Sequence, residues 1–307
     1  MRVLVTGGAG FIGSHIVEHF QGKAEVRVLD SLRSGYRRNL DGFDVEFIEG
    51  DIRNRELVRQ AMQDVDYVFH LAALVSVPES MEKITECMDI NGTGMIVVLE
   101  EAARAGVRKL CFSTSAAVYG DNPELPKRES MTPEPKSPYA ITKLDGEYYC
   151  RMFTETGKLQ TACLRYFNVF GPRQDPKSAY AAAVPIFIDK ARKNEPLTIF
   201  GDGGQTRDFI FVKDIVAANA FLAMSAHTGV YNIANGGKIT INDLAKEIIR
   251  LTGSKSEIVF NPLPSDDPKQ RKPDISLATQ KLNGWKPNVK LDKGLDRTID
   301  YFKSIIY

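Results

Sequence analysis

Met1-Arg2-Val3-Leu4-Val5-Thr6-Gly7-Gly8-Ala9-Gly10-Phe11-Ile12-Gly13 opens the chain and decides how the fold is read. Val3 to Thr6 is a short β-branched run. Glycines at 7, 10 and 13 follow at once and lead into an amphipathic stretch from Phe11 to Phe20. A strand that turns on glycine into a helix makes a phosphate cradle. Gly7 permits the tight turn, Gly10 lets backbone amides approach a pyrophosphate, and Gly13 lets the helix pack closely on the strand. Phe11 and Ile12 open that helix, whose N-terminus adds partial positive charge at the same spot.

Working outward, Asp30 closes the second run, Val26 to Asp30, about 20 residues past the glycine turn, with Ser31 next to it. An acid there binds both adenosine ribose hydroxyls of a dinucleotide and repels the added phosphate of NADP. Arg33 is the one dissenting feature, because it can reach a 2′-phosphate. The expected cofactor is NAD. Gly50-Asp51-Ile52 after the third run suits the adenine, and Leu71-Ala72-Ala73 after the fourth sets small side chains against the cofactor.

Further runs at Val45 to Glu49, Tyr67 to His70, Lys109 to Ser113 and Thr161 to Arg165 read as strands. Helical stretches at Arg55 to Met62, Ile90 to Arg104 and Tyr139 to Thr156 alternate with them. Alternation of this kind predicts an α/β fold: a Rossmann-like, doubly wound parallel sheet covered on both faces. Residues 1–170 are expected to form the cofactor domain, rejoined by part of 205–235. The rhythm then changes to mixed strands, helices and Pro/Gly-rich loops, so 171–307 is read as a smaller mixed α/β substrate domain. Within it, Thr240, Asp243, Leu244, Ile248, Ile249 and Gly253 read as a capped amphipathic helix with a glycine stop.

Composition removes several function classes. The 307 residues carry 40 basic and 39 acidic side chains, a formal charge of +1, which offers no field for nucleic acid or an anionic membrane. Cys87, Cys111, Cys150 and Cys163 lie far apart without CxxC spacing and read as buried thiols in a reducing compartment. His15, His19, His70 and His227 show no metal-ligand spacing, so no metal is expected; Trp285 reads as packing. The first strand begins at the amino terminus without a leader pattern, and cytoplasmic residence is the default expectation.

Chemistry concentrates in two segments. Ser137-Pro138-Tyr139-Ala140-Ile141-Thr142-Lys143 puts Tyr139 and Lys143 four apart, on one face at the start of a helix. A tyrosine with its usual pKa of about 10 is a poor base at neutral pH, but a nearby ammonium and a nicotinamide cation both favour phenolate. Upstream, Ser113-Thr114-Ser115 ends a strand with three hydroxyls, one of which can hold the reacting oxygen.

With these motifs in place, the chain resembles the extended short-chain dehydrogenase/reductase family, and within it the NAD-dependent UDP-hexose 4-epimerases. The likeness covers Thr6 to Gly13, Asp30, Gly50-Asp51, Leu71-Ala72-Ala73, Asn91, Ser113 to Gly120, Ser137 to Lys143, Arg165 to Gly171 and Gln205 to Phe209. It implies that Tyr139 and Lys143 are catalytic, that Ser115 is the catalytic hydroxyl with Thr114 as helper, and that Asn91 orders the cofactor side by backbone contacts. Ser113, Tyr139, Lys143 and Tyr166 are implied cofactor contacts. Asn168 is implied near the sugar and diphosphate, and Arg207 on the diphosphate; Arg271, among basic and polar neighbours, reads equally as a second diphosphate contact or as part of a solvated loop. The loop from Gly171 to Pro176 through Tyr180 to Pro185 looks like the segment that covers the nucleotide.

The implied reaction is 4-epimerisation of a UDP-sugar by a homodimer, whose four-helix interface the resemblance places on the Ile90 and Tyr139 helices. The match, with Ser76-Val77-Pro78, leans towards enzymes that also take N-acetylated hexosamines. Rival readings are UDP-glucuronate decarboxylase, nucleotide-sugar 4,6-dehydratase and a non-catalytic NAD-sensing scaffold. The first two carry acids just after the catalytic hydroxyl, where this chain has Ala116 and Ala117.

Overall fold

The computed structural model describes residues 1–176, 182–262 and 272–304. Its first half runs β1 (Arg2–Thr6), α1 (Phe11–Phe20), β2 (Glu25–Asp30), β3 (Glu46–Glu49), α2 (Arg55–Ala61), β4 (Tyr67–His70), α3 (Val77–Glu82), α4 (Ile84–Met88), α5 (Gly94–Arg104), β5 (Lys109–Ser115), α6 (Pro138–Glu155) and β6 (Gln160–Tyr166). The second half adds β7 (Asn168–Phe170), α7 (Ala183–Arg192), β8 (Leu197–Phe200), β9 (Thr206–Arg207), β10 (Phe209–Phe211), α8 (Val212–Met224), β11 (Gly229–Ile233) and β12 (Ile239–Thr240). It ends with α9 (Ile241–Thr252), β13 (Ile258–Asn261), α10 (Ser276–Lys281) and α11 (Leu291–Ser304).

Seven strands form one parallel sheet in the order β11-β6-β5-β4-β1-β2-β3. The order reverses between β1 and β4, and doubly wound sheets bind ligands at such a point, outside the carboxyl ends of the strands. One face is covered by α1 and α8, whose Ile16, Val17, Ile215 and Leu222 pack on Val3, Val5 and Phe69. On the other, Val58, Val98, Ala102 and Phe153 pack on Leu4, Val68 and Leu110. Each fully buried side chain of this size contributes about 1.5–3 kcal/mol, and burial on both faces explains why the strands read as nearly unbroken apolar runs.

The sheet therefore takes β11 from beyond residue 205, with α8 beside it, while β7 to β10, β12 and β13 form three two-stranded pairs. Phe187, Ile188, Leu244, Ile248, Leu295 and Phe302 build a separate core around those pairs. The helix expected from Thr240 is present: the Thr240 hydroxyl accepts from the Asp243 amide at 3.0 Å, and Gly253 ends it at φ 64°. The helix read from Ile90 differs. It starts as α4, passes through a π-helical turn over Asp89–Thr93, and only then becomes α5. Ser76-Val77-Pro78 is the capped start of α3, the Ser76 hydroxyl accepting from the Glu79 amide. Among the described residues no helix is long and apolar enough to cross a membrane.

Two tethers clamp α6 to the sheet. Lys143 Nζ donates to the Ser113 carbonyl at 2.8 Å. One turn on, buried Glu147 receives the Thr114 hydroxyl at 2.8 Å and Arg165 Nε and Nη2 at 2.9 and 2.6 Å. Arg165 Nη1 donates to the Tyr119 hydroxyl at 2.9 Å, which donates to Asn232 Oδ1 at 2.7 Å, so the network crosses β5, β6 and β11. Removing one partner of a buried pair leaves an uncompensated charge. Arg165→Met should cost about 3–5 kcal/mol in urea unfolding, and Arg165→Met/Glu147→Met should recover most of it. Equal losses in the single and double variants would show that the pair is not the clamp.

Candidate active site

A cleft of about 1350 Å³ follows the carboxyl edge of the sheet. From the β1–β3 side its wall is Gly7, Gly10, Phe11, Ile12, Gly13, Asp30, Ser31, Asp51, Ile52, Leu71, Ala72 and Ala73. On the β5–β6 side it is Ser113, Thr114, Ser115, Tyr139, Lys143 and Tyr166, and the second half closes it with Asn168, Val184 and Arg207. All these positions were expected at a site from the sequence.

The glycine turn fits a dinucleotide. Gly7 sits at φ +73°, where a Cβ would lie 2.7 Å from the Ala72 amide nitrogen; at Gly13 it would lie 2.1 Å from the Gly7 carbonyl. The turn therefore has no room for side chains of its own and presents backbone to the cleft. Asp30 Oδ2 accepts from the Ala9 amide at 2.9 Å and Oδ1 from the Leu32 amide at 2.8 Å, tying the loop to the end of β2. Burial pushes its pKa above the ordinary carboxylate value, against those two bonds. At the switch point, Thr6 Oγ1 lies 2.7 Å from His70 Nδ1 and accepts from the Leu71 amide at 3.3 Å. Burial drives the His70 pKa down to about 3, so the imidazole is neutral, and the bland reading of it as a packed histidine stands.

Tyr139 and Lys143 share one face of α6, with the Lys143 ammonium 5.7 Å from the phenol ring centroid. Ser137 caps the helix by accepting from the Ala140 amide at 3.2 Å, which fixes the turn that carries Tyr139. Ser115 sits beside the phenol and favours its ionised form. Among the protein's own groups, burial pushes the Tyr139 phenol above its usual pKa, with Ser115 opposing. Lys143 donates to the Ser113 carbonyl, and burial lowers its own pKa to about 8; the nicotinamide cation expected to favour phenolate with it would come only with the cofactor.

Thr114, expected as a helper beside Ser115, lines the cleft, and alternation along β5 turns its hydroxyl to Glu147, so it also holds the clamp. Asn91, in the π turn, does not line the cleft. Its Oδ1 accepts from the Leu74 amide at 2.7 Å, and its Nδ2 donates to the Leu74 carbonyl at 3.0 Å and to Thr142 Oγ1 at 3.1 Å. It orders the backbone after β4, as the resemblance implied, without touching the cavity.

On the opposite wall, Asn168 Nδ2 donates to the Asp208 carbonyl at 2.8 Å, and Arg207 Nη1 donates to the Thr206 carbonyl at 2.9 Å. The neighbouring Asp208 carboxylate, pushed up to about 6 by burial, accepts from the Asn235 and Gly237 amides at 2.8 Å each. Arg271 lies outside the described residues. Sequence reasoning missed Glu147, although it continues the Tyr139 and Lys143 spacing by one more turn. Asp208 was quoted in a motif without a role.

The segment after β7 is tied back to the first half of the chain. The Tyr36 hydroxyl donates to Asp175 Oδ2 at 2.5 Å, and Arg173 donates to Ser14 at 3.2 Å and to Glu18. His15 Nε2 lies 2.9 Å from the Pro172 carbonyl, which explains its burial. Among the described residues no group of three or more His, Cys, Asp or Glu is placed to hold a metal ion. The four cysteines are buried and free, and Trp285 packs against the core.

Known proteins share this arrangement. A UDP-N-acetylglucosamine 4-epimerase from Methanobrevibacter ruminantium, solved with UDP-N-acetylmuramic acid, superposes with a TM-score of 0.95 at 39% identity, covering 99% of this chain and 98% of that one. The UDP-glucose 4-epimerase of Thermotoga maritima, solved with UDP-glucose, gives 0.94 at 38% identity over 99% of each chain. UDP-glucuronic acid decarboxylase 1 of Xenopus tropicalis is 35% identical over 98% of this chain and 72% of its own length. Residues 3–234 match the family described as the NAD dependent epimerase/dehydratase family, and the chain belongs to it.

Proposed function

We propose that this chain is a UDP-hexose 4-epimerase that interconverts UDP-glucose and UDP-galactose, and that UDP-N-acetylglucosamine and UDP-N-acetylgalactosamine are a second substrate pair for the same site. The carrying observation is the Ser115–Tyr139 contact beside Lys143, followed in the chain by Ala116 and Ala117. Dehydration and decarboxylation by relatives of this layout call for an acid after the hydroxyl, and two alanines supply none. Likeness to the Methanobrevibacter and Thermotoga enzymes supports the same reading.

Bound NAD would supply a reversible hydride acceptor. The glycine turn and Asp30 hold it, with Ser31, Asp51, Ile52, Leu71, Ala72, Ala73 and Tyr166 along its length. Tyr139 takes the proton from O4 of the sugar and later returns it, while Ser115 holds the same oxygen. Lys143, fixed by the Ser113 carbonyl, keeps a cation beside the phenol. Arg207 suits paired diphosphate oxygens, with Asn168 near them and Val184 covering the nucleotide. Binding through the diphosphate leaves the 4-keto hexose free to turn its other face, which is what inversion at C4 needs.

We propose a cytoplasmic homodimer. Ile141, Tyr148 and Met152 are 42, 47 and 46% exposed on one side of α6, and Met81, Ile84 and Met88 are exposed on α3 and α4 nearby. Such a stripe suits a second copy of the same helices. Residues 1–170, with parts of 205–235, serve as the cofactor domain and 171–307 as the substrate domain.

The function is tested by incubating the protein separately with UDP-glucose, UDP-N-acetylglucosamine and UDP-glucuronate and reading products by NMR. C4 epimers without CO₂ are expected, with Tyr139→Phe lowering the rate by about 10²–10⁴. UDP-xylose would make the chain a decarboxylase, and no turnover with any UDP-sugar would favour the scaffold reading. The Lys143 ammonium is present below its lowered pKa of about 8 and lost above it, so turnover should fall as pH rises through that value. An alkaline limb that survives unchanged in Lys143→Gln would assign it to another group. For assembly, Tyr148→Arg/Met152→Glu should sediment as a monomer while the parent sediments as a dimer; a monomeric parent sinks the dimer.

A further inference from the structure

At the adenosine end of the cleft two arginines, Arg33 and Arg53, line the wall with Asp30. A guanidinium just past the strand-end acid is well suited to a 2′-phosphate, because its planar fork matches paired phosphate oxygens. Both guanidinium groups are already engaged. Arg53 donates from Nε to Asp51 Oδ1 at 2.9 Å and from Nη2 to Oδ2 at 2.7 Å. Arg33 donates from Nη2 to Glu79 Oε1 at 2.7 Å and from Nη1 to Glu86 Oε1 at 3.1 Å. Those acids come from α3 and α4, 46 and 53 residues away in sequence. Lys83 steadies Glu79 by donating to it at 3.0 Å, and Glu86 itself lines the cleft.

We propose that Glu79 and Glu86 are dinucleotide-selectivity residues: by holding Arg33 between them they withhold its guanidinium from a 2′-phosphate and add negative charge to that end of the cleft. A 2′-phosphate would have to break two charge-assisted bonds to recruit Arg33, and would meet the Asp30 and Glu86 carboxylates as it did so. The pairs are partly exposed, so the restraint is graded and of order tenfold rather than absolute. Asp30 sets the preference, and α3 and α4 complete it by disarming the one residue that opposes it.

The inference rests on the reading of NAD as cofactor, and the experiment separates the two. The purified protein is equilibrated with equal excess NAD and NADP, freed of unbound nucleotide, and its bound dinucleotides are quantified by mass spectrometry. In the parent, NAD should dominate. In Glu79→Gln/Glu86→Gln the bound NADP:NAD ratio should rise about tenfold or more, and adding Arg33→Ala should return it to the parent value. An unchanged ratio in a double variant that still carries NAD overturns the inference alone. So does a gain that persists without Arg33. A parent that takes up neither dinucleotide overturns the cofactor reading and this inference with it.

Discussion

The register of one helix against one strand governs the site. α6 carries Tyr139 and Lys143, β5 ends in Ser113 and Ser115, and the proposed chemistry needs these groups within reach of one sugar oxygen. The Lys143 bond to the Ser113 carbonyl and the Glu147 clamp on Thr114 and Arg165 fix that register from both sides of the strand. At its other end β5 is held as well: buried Lys109 donates to the Leu222 and His227 carbonyls at 3.1 and 2.8 Å and to that of Ser225, where α8 stops. Three carbonyls at and just past the α8 end thereby accept from one strand residue.

Burial sets the protonation of the cleft. It raises Tyr139, Asp30 and Asp208, and lowers Lys143 and His70, each in the direction that disfavours charge. Hydrogen bonds from Ser115 and from backbone amides oppose the rise without cancelling it. The cleft is therefore built to gain from charge that arrives with its ligands, since a cation or diphosphate entering it meets groups already desolvated.

Much of this could be read from sequence because it is local. The glycine turn, Asp30, the Tyr139 and Lys143 pair and the six strands before residue 170 each lie in a short segment whose spacing carries the signal. What escaped depends on pairings far apart in the chain. The tie from Thr114 to Glu147 is one such pairing, set by the strand's alternation and by a residue 33 positions on. The π turn at Asn91 leaves no mark on the apolar period, and the Leu74 backbone that Asn91 pairs with lies 17 residues away. Arg33 looked like a dissenting vote for NADP because its partners Glu79 and Glu86 belong to helices the apolar pattern did not reveal.

The bonds between the two halves of the chain bear on the proposed cycle. Tyr36 to Asp175, Arg173 to Ser14 and Glu18, and His15 to the Pro172 carbonyl join the loop after β2 and helix α1 to the segment after β7. A reaction that hands its hydride back leaves the dinucleotide unchanged at the end of each cycle, so turnover never requires it to depart. A nucleotide that each proposed cycle regenerates has no need to part those bonds, so the segment after β7 can stay tied to α1 and the β2 loop from one turnover to the next.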